Sequence, residues 1–330
     1  FIIFRQEERL MKILFICDPI ANFKIHGDST IALMVAANDL GYSVHYALPK
    51  DIFANNNIAL ANVMPLDILI KTDDLSAAIT KPWYKEHDML SNLDLTGYQA
   101  IMVRNDPPVD TEYYYLTQIL QLAENKGTKV INNSYSLRNF NEKLSILNFP
   151  QFISPTLVSR NKESILQFIN QHGDCVVKPL DQMAGRGVLK LSKNDVNTHP
   201  ILELSTNYFT TSVMVQKFIP EVVYGDRRVF IVNGKVISHC LHRIPQDNQI
   251  RGNLAAGGRG EVHPVSEEDY VIANAVVEWL NMHKILFVGI DIIGNKLTEI
   301  NITSPTALRQ IFSHNGVNIA KLVIESINEK

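Results

Sequence analysis

The sequence predicts an α/β protein: an N-terminal domain built on a parallel sheet, then a C-terminal part of α+β character in which strands pair as hairpins. Three stretches carry that expectation. KILFIC (12–17), a helical pattern over 28–40 and YSVHYAL (42–48) follow one another in β-α-β order, which calls for a parallel sheet with ligands at the carboxyl ends of its strands. YGDRRVFIVNGKVISHCLHRIP (224–245) reads as a hairpin turning at Asn233–Gly234. LFVGIDIIGNKLTEINIT (286–303) reads as a second hairpin, with strands over 286–293 and 297–303.

Composition narrows the function. A chain of 330 residues is long enough for two or three domains, and 46% hydrophobic with 20% charged residues describes an ordinary globular protein. A net charge of −3 gives no electrostatic case for nucleic acid or an anionic membrane as partner. No apolar run approaches the ~18 residues that span a bilayer. Cys17, Cys175 and Cys240 are odd in number and far apart, which fits neither a disulfide framework nor a zinc site; a reducing cytoplasm is the expected compartment. Met11 is the expected start of the fold, with residues 1–10 a leader outside it.

Taken in order, the first strand stops at Asp18 and Pro19, and the helix after it is capped by Asp28 or Ser29 and ended by Gly41. Residues 49–94 show an apolar alternation near 66–71 and nothing assignable to chemistry. YQAIMVRNDPPVD (98–110) runs a strand into a turn stiffened by two prolines, so Arg104 and Asp106 are presented at a strand end. The planar fork of Arg104 suits a carboxylate; an internal pair with Asp106 fits the same residues. A helix over 111–126 ends at Gly127, the strand KVINN (129–133) follows, and Asn141–Glu142–Lys143 opens or lies within a helix. Pro150 and Pro155 mark a hinge.

DCVVKPLDQMAGRGVLKL (174–191) places Lys178 at the root of a loop containing Gly185 and Gly187, between two strands. Glycines let backbone N–H groups approach an anion, and the lysine adds a point charge, so the loop reads as a lid over phosphates; a ligand-free glycine hairpin is the alternative. VMVQKFIPE (213–221) is a strand that breaks at Pro220. In the 224–245 hairpin, Asp226 and Arg228 share a face and Arg243 ends the second strand, a cluster suited either to a bound phosphate or to an internal salt-bridge network. RIPQDNQIRGNLAAGGRGE (243–261), rich in small residues and carrying Arg251 and Arg259, reads as a cover that closes over reactants, or as a plain linker. A helix over 266–283 is capped by Ser266, and 317–328 makes a closing amphipathic helix.

In the 286–303 hairpin, a three-residue turn, Gly294 to Lys296, would pair Ile293 with Leu297 and Asp291 with Glu299. Asn301 then joins the two carboxylates on one face, and Ile290, Ile292, Ile300 and Ile302 gather on the other. A two-residue turn would set Asp291 opposite Thr298. Two carboxylates and an amide form an all-oxygen set that hard divalent cations such as Mg²⁺ prefer, with phosphate completing the shell; ordinary half-exposed strand residues are the alternative.

Together the lysine strand, the glycine lid, the Asp–Arg hairpin and the Asp…Glu-x-Asn hairpin resemble the ATP-grasp superfamily. More closely, CDPIANFKIHGDST, RNDPPVDTEY, LRNFNEKL, VVKPLDQMAGRGV, YGDRRV, RIPQ, RGNLAAGGRGE and FVGIDIIGNKLTEINITSPT resemble the bacterial glutathione synthetases, from Met11 almost to the C-terminus. Gln182, Met183, Ala184 and Arg186 depart from a lid that is usually richer in glycine. The resemblance implies a Rossmann-like N-terminal substrate domain (11–130) and a two-part ATP-grasp domain (131–330), with a lid subdomain over about 146–220 and a flexible loop over about 244–260.

It also implies an activity: ATP phosphorylates the terminal carboxylate of γ-glutamylcysteine, and glycine attacks the acyl phosphate to give glutathione, ADP and phosphate. By motif position, Lys143 and Lys178 are implied at the ATP phosphates under Gly185 and Gly187, with Asp226 nearby. Gln216, Lys217 and Ile219 are implied at an adenine-binding edge. Asp291, Glu299 and Asn301 are implied as ligands of Mg²⁺, with Mn²⁺ as a substitute. Arg228, Arg243 and Arg251 are implied at the reacting centre, and Asp18, Ser29, Arg104, Ser304 and Thr306 at the peptide. The implied partners are small molecules alone, the implied assembly a homo-oligomer. Another ATP-grasp carboxylate–amine ligase, or a synapsin-type ATP-binding module without catalysis, are the competing readings.

Overall fold

The structure, a computed structural model, describes residues 11–76, 81–246, 249, 251–254 and 257–329. The expected leader therefore lies outside the described residues. The chain forms two compact units. The first comprises the chain up to Asp106, Tyr115–Tyr135 and the stretch from Thr306 onward; the second comprises Pro107–Tyr114 and Ser136–Pro305. Compared with the expected domains at 11–130 and 131–330, this grouping differs chiefly in that the stretch from Thr306 returns to the first unit.

The first unit holds β1 (Lys12–Ile16), α1 (Ser29–Asp39), β2 (Ser43–Ala47), β3 (Ile52–Asn55), β4 (Ile58–Ile68), β5 (Tyr84–Glu86), β6 (Leu90–Asp94), β7 (Ala100–Val103), most of α2 (Thr111–Glu124) and β8 (Lys129–Ile131). Its sheet runs β3-β4-β2-β1-β7-β8, with β5 and β6 paired to β4. β1 is parallel to β2 and β7, and β7 to β8, as the β-α-β order predicts. The strand order reverses between β1 and β7, and a crevice at the carboxyl ends of such a pair is where open sheets of this type place ligands. Asp28 caps α1, accepting from the backbone N–H of Thr30 at 2.7 Å.

α1 is buried on every side from Ser29 to Ala37. A helix apolar all round needs cover on the face turned away from its sheet. Here that cover includes the last helix of the chain, which is why the C-terminus belongs to this unit.

The second unit begins its ordered run near α3 (Ser134–Asn139) and contains two sheets. The smaller joins β9 (Thr156–Ser159), β10 (Cys175–Pro179), β11 (Leu189–Leu191) and β12 (Val213–Lys217), in the order β11-β10-β12-β9, all antiparallel. It packs with α4 (Lys162–His172) and α5 (Thr198–Ser205) around Ile165, Ile169, Val177, Leu191, Leu202 and Val215. The larger sheet is formed by β13 (Asp226–Val232), β14 (Lys235–Ile244), β15 (Arg259–Pro264), β16 (Phe287–Ile293) and β17 (Lys296–Asn301), in the order β15-β14-β13-β16-β17. Between β15 and β16 runs α6 (Glu267–Met282), capped by Ser266. The chain closes, in the first unit, with α7 (Leu308–Asn315) and α8 (Ile319–Glu325).

The five-stranded sheet has two unlike faces, as period-two alternation requires. Val229, Ile231, Ile290, Ile292, Ile300 and Ile302 pack against Ile272, Ala273, Val276 and Leu280 of α6. On that side Arg227 makes a two-pronged ion pair with Asp269, both bonds 2.7 Å, which anchors the first turn of α6 to β13. The opposite face carries the charged residues described below.

Leu280 is wholly enclosed in this core, and replacing it with alanine removes apolar contacts the rigid sheet cannot recover. Leu280→Ala is expected to cost about 2–5 kcal/mol in urea unfolding. A loss under ~1 kcal/mol would contradict the packing of α6 on the sheet.

Candidate functional site

The β16–β17 hairpin sets out the site by a route the sequence reading did not foresee. Ile293 pairs with Lys296 and Ile292 with Leu297, so the turn has two residues, Gly294–Asn295, with Gly294 at φ 57°. By simple counting that would put Asp291 opposite Thr298. The register instead shifts between Asp291 and Ile292, so that Asp291 faces Glu299, Ile290 faces Ile300 and Gly289 faces Asn301. Thr298 is the extra residue of a β-bulge, held by its hydroxyl donating to Asp291 O at 3.1 Å. The expected pairing of Asp291 with Glu299 thus stands, while the expected pairing of Ile293 with Leu297 gives way to a shorter turn plus a bulge.

Adjacent strands complete the polar face. Arg228 lies opposite Asp291 across β13–β16, and Asp226 opposite Arg243 across β13–β14. Arg228 grips Asp291 through two bonds of 2.7 Å. Arg243 grips Asp226 at 2.6 and 2.8 Å and also reaches Asp291 Oδ2 at 2.8 Å. The result is a buried chain of alternating charge, Asp226–Arg243–Asp291–Arg228. Burial alone would raise the Asp291 carboxyl, but Arg228 and Arg243 hold it well below the usual carboxylate range. Burial pushes Asp226 up, with the Asp291 charge adding to it.

Gly289 makes the arrangement possible. A Cβ there would meet Arg228 Cδ at 3.2 Å and Nε at 3.3 Å, so a side chain would crowd the arginine lying across the face.

Lys143 does not lie in an α-helix. It follows α3 in a turn that Asn141 closes, accepting from Lys143 N and Leu144 N at 3.0 Å each. Its Nζ donates to Gln182 O at 2.6 Å and pairs with Glu299 Oε1 at 3.1 Å. Lys178 donates to Gln216 Oε1 at 2.6 Å, and Gln216 donates in turn to Thr156 Oγ1 at 2.8 Å. Loss of hydration brings Lys178 down to about 8; nearby Lys143 acts in the same sense, while Glu299, Asp291 and Asp226 oppose it.

The strand whose residues are implied at the adenine, β12, lies between β10 and β9. Gln216 is buried within the sheet, Lys217 N donates to Pro155 O at 2.9 Å, and Ser154 Oγ donates to Lys217 O at 3.0 Å. Ile219 lies beyond the last strand residue, at the start of a 3-10 turn.

The arginine cover is shorter than expected. β14 persists to Ile244 and β15 begins at Arg259, so the connection spans 245–258, of which 247, 248, 250, 255 and 256 lie outside the described residues. It is folded back on itself, Gln246 Nε2 donating to Gly257 O at 2.9 Å. Gly252 approaches so closely that a Cβ there would stand 2.1 Å from Arg243 O. Gly185, at φ 71°, abuts the same loop: a Cβ would lie 2.6 Å from Asn253 Oδ1 and 3.2 Å from Arg251 Cδ. Gly187, at φ 69°, sits against Pro179. The glycine lid and the arginine loop therefore meet. Arg259 pairs along its own strand with Glu261 at 2.8 Å and is largely exposed.

In the first unit, Asp18 follows β1 and accepts from Asp106 N at 3.0 Å, which draws the ends of β1 and β7 together. Arg104, buried just after β7, donates to Thr30 Oγ1 at 3.2 Å. Ser29 accepts from Leu308 N at 3.2 Å. Asp18, Ser29 and Arg104 thus gather at the switch point of this sheet. Ser304 is half-buried in the second unit, and Thr306 is exposed in the first.

A residue the sequence reading passed over is Glu142. Its Oε1 accepts from Ile302 N, Thr303 N and Thr303 Oγ1 at 2.8, 2.9 and 2.8 Å. Burial, then the Glu299 charge, raise its carboxyl. Nothing local in the sequence marks it, since its partners lie some 160 positions away.

Among the described residues no three His, Cys, Asp or Glu side chains form a metal cluster. The candidate set is two carboxylates and an amide, Asp291, Glu299 and Asn301. Asn301 Nδ2 donates to Gly289 O at 2.9 Å and to Asp291 Oδ2 at 3.3 Å, leaving its oxygen for another partner. These all-oxygen donors on one strand pair fit a hard divalent cation that shares its shell with phosphate.

The fold is shared with solved structures. The D-cycloserine synthetase DcsG matches with TM-score 0.66 at 13% identity over 96% of this chain and 99% of that one. The D-alanyl-alanine synthetase A of Vibrio cholerae matches with TM-score 0.61 at 16% identity over 97% and 98%. That likeness is one of fold, and the match of residues 142–316 to an ATP-grasp domain makes the chain an ATP-dependent carboxylate–amine ligase of the ATP-grasp class. Residues 11–138 match the N-terminal domain of prokaryotic glutathione synthetase, and residues 142–316 match its ATP-grasp domain. The glutathione synthetases of Neisseria meningitidis (serogroup A) and Vibrio cholerae are each 40% identical, over 97% of this chain and 99% and 98% of theirs. The chain belongs to the prokaryotic glutathione synthetase family.

Lys178 supplies a pH test. With its folded value at about 8, below that of the unfolded chain, the unfolded state binds the extra proton above pH 8, so this group makes stability rise with pH up to the unfolded value. With ATP phosphates beside Lys178, as its motif position implies, the shift would reverse, and ATP binding near pH 8 is expected to take up protons. Calorimetry in buffers of different ionisation heat reads this directly. Lys178→Met should abolish most of the uptake; undiminished uptake in that variant would contradict the assignment.

Proposed function

We propose that this chain is a glutathione synthetase: it uses ATP to activate the terminal carboxylate of γ-glutamylcysteine as an acyl phosphate, which glycine then attacks. The observation that carries the mechanism is the buried Asp226–Arg243–Asp291–Arg228 chain facing Glu299, because it fixes two guanidinium groups and two carboxylates on a single rigid sheet. Such preorganised charge stabilises phosphoryl transfer without rearranging at the moment of reaction.

Lys143 and Lys178 bind the nucleotide phosphates, and Gln216 orients Lys178. Arg228 and Arg243 offset charge on the transferred group. Asp291, Glu299 and Asn301 would hold Mg²⁺, with Mn²⁺ as substitute, which when bound neutralises phosphate charge. Arg251 and its loop close over the acyl phosphate and exclude water, which would otherwise hydrolyse it. Because Arg251 and Asn253 abut Gly185, closing the loop also presses the lid over the nucleotide. Asp18, Ser29 and Arg104 bind the peptide from the β1–β7 switch point of the first unit; Ser304 and Thr306, in the turn that follows β17, carry the same proposed role. A cytoplasmic homo-oligomer is the proposed form; the three buried free thiols suit a reducing compartment.

Coupled ADP release tests the substrates: γ-glutamylcysteine with glycine should elicit it, and D-alanine or glutamate in place of glycine should not. ADP release with D-alanine at the glycine rate would instead make the chain another ligase of the class. Glu299→Gln keeps the shape of the face and removes one charge, and should lower kcat at least about 100-fold with the unfolding midpoint unchanged. Near-normal turnover in that variant would refute the metal and phosphate role of this face.

A further inference from the structure

Glu142 has no part in the chemistry above, yet it accepts more side-chain hydrogen bonds than its neighbours in the Asn141–Lys143 turn. One of its oxygens takes three, all from residues 302 and 303, where the chain leaves β17 for the turn at 303–306. Lys143, next in sequence, is held independently of that carboxylate: Asn141 caps its backbone and ties the turn to Leu180 O, and Ile300 N donates to Glu142 O at 2.9 Å. Within that turn it is the carboxylate of Glu142 that bonds residues 302 and 303, so it sets Thr303 against Lys143 and Glu299 beyond what the backbone bond from Ile300 already fixes.

We propose that Glu142 is a positioning residue for the peptide substrate, setting the turn that begins at Thr303 against the groups that handle phosphate. The inference rests on the reading of that turn, under the proposed function, as part of the peptide site. A carboxylate accepting backbone N–H bonds holds them strongly, and the charge makes the strap stiffer than a neutral side chain would. Reach matters more than charge here, because three donors converge on one oxygen. Aspartate keeps the charge and falls short by one carbon–carbon bond; glutamine keeps the length and an accepting oxygen.

The experiment is steady-state kinetics of Glu142→Asp and Glu142→Gln against the parent enzyme, with ATP and γ-glutamylcysteine varied separately and urea unfolding run alongside. In Glu142→Asp the KM for the dipeptide should rise at least about tenfold while the KM for ATP stays within about threefold. Glu142→Gln should keep both within about threefold. Parallel rises in both KM values, equal losses in the two variants, or no change in Glu142→Asp would each overturn the proposal. Should Glu142→Asp fail to fold, Thr303→Val removes one of the three bonds and is expected to raise the dipeptide KM alone; an unchanged value overturns it. A parent enzyme inactive with γ-glutamylcysteine and glycine overturns the reading and the inference together, whereas an active parent with indifferent variants overturns only the inference.

Discussion

One carboxylate organises the charged face of the larger sheet. Asp291 sits in an inner strand with almost no exposure, and a buried charge persists only when it is fully partnered. Its partners come from both neighbours on one side: Arg228 from β13 and, beyond it, Arg243 from β14. Those contacts require three strands to keep one register, and Gly289 to leave room for the arginine that crosses the face. Buried ion pairs of this kind are a poor source of stability, because desolvation offsets most of the attraction. What they supply is position: cations and carboxylates held within a sheet whose other face is an apolar core.

The bulge at Thr298 shows how finely that face is set. Without the extra residue, a two-residue turn would send Glu299 to the apolar side and Thr298 to the charged side. The segregation of apolar from polar side chains was legible in the sequence, and it forced the right pairing of Asp291 with Glu299. The device that achieves it was not, since a bulge and a longer turn give the same parity from that point on. Asn233–Gly234, by contrast, was readable as a tight turn, and both residues take positive φ there.

Other features escaped for identifiable reasons. The start of β15 was taken into the expected loop because Arg259 and Gly260 look like loop and are exposed, as are four of the strand's six residues. The C-terminal helices join the first unit because α1 needs cover, a demand set by tertiary packing and invisible in the local pattern. Lys143 stood out only through resemblance to a family, whereas Asp226 and Arg228 were legible from strand parity, Arg243 from its place at a strand end and Arg251 from the small-residue loop that carries it. Arg227 was missed because its partner Asp269 lies on a helix far along the chain.

The account stands on the polar face of the larger sheet passing phosphate to a peptide carboxylate, and isotope transfer tests that step most directly. γ-Glutamylcysteine carrying ¹⁸O in its C-terminal carboxylate, turned over with ATP and glycine, should yield orthophosphate bearing one ¹⁸O for each glutathione formed. Orthophosphate free of ¹⁸O, with glutathione still produced, would contradict transfer of the phosphoryl group to that carboxylate.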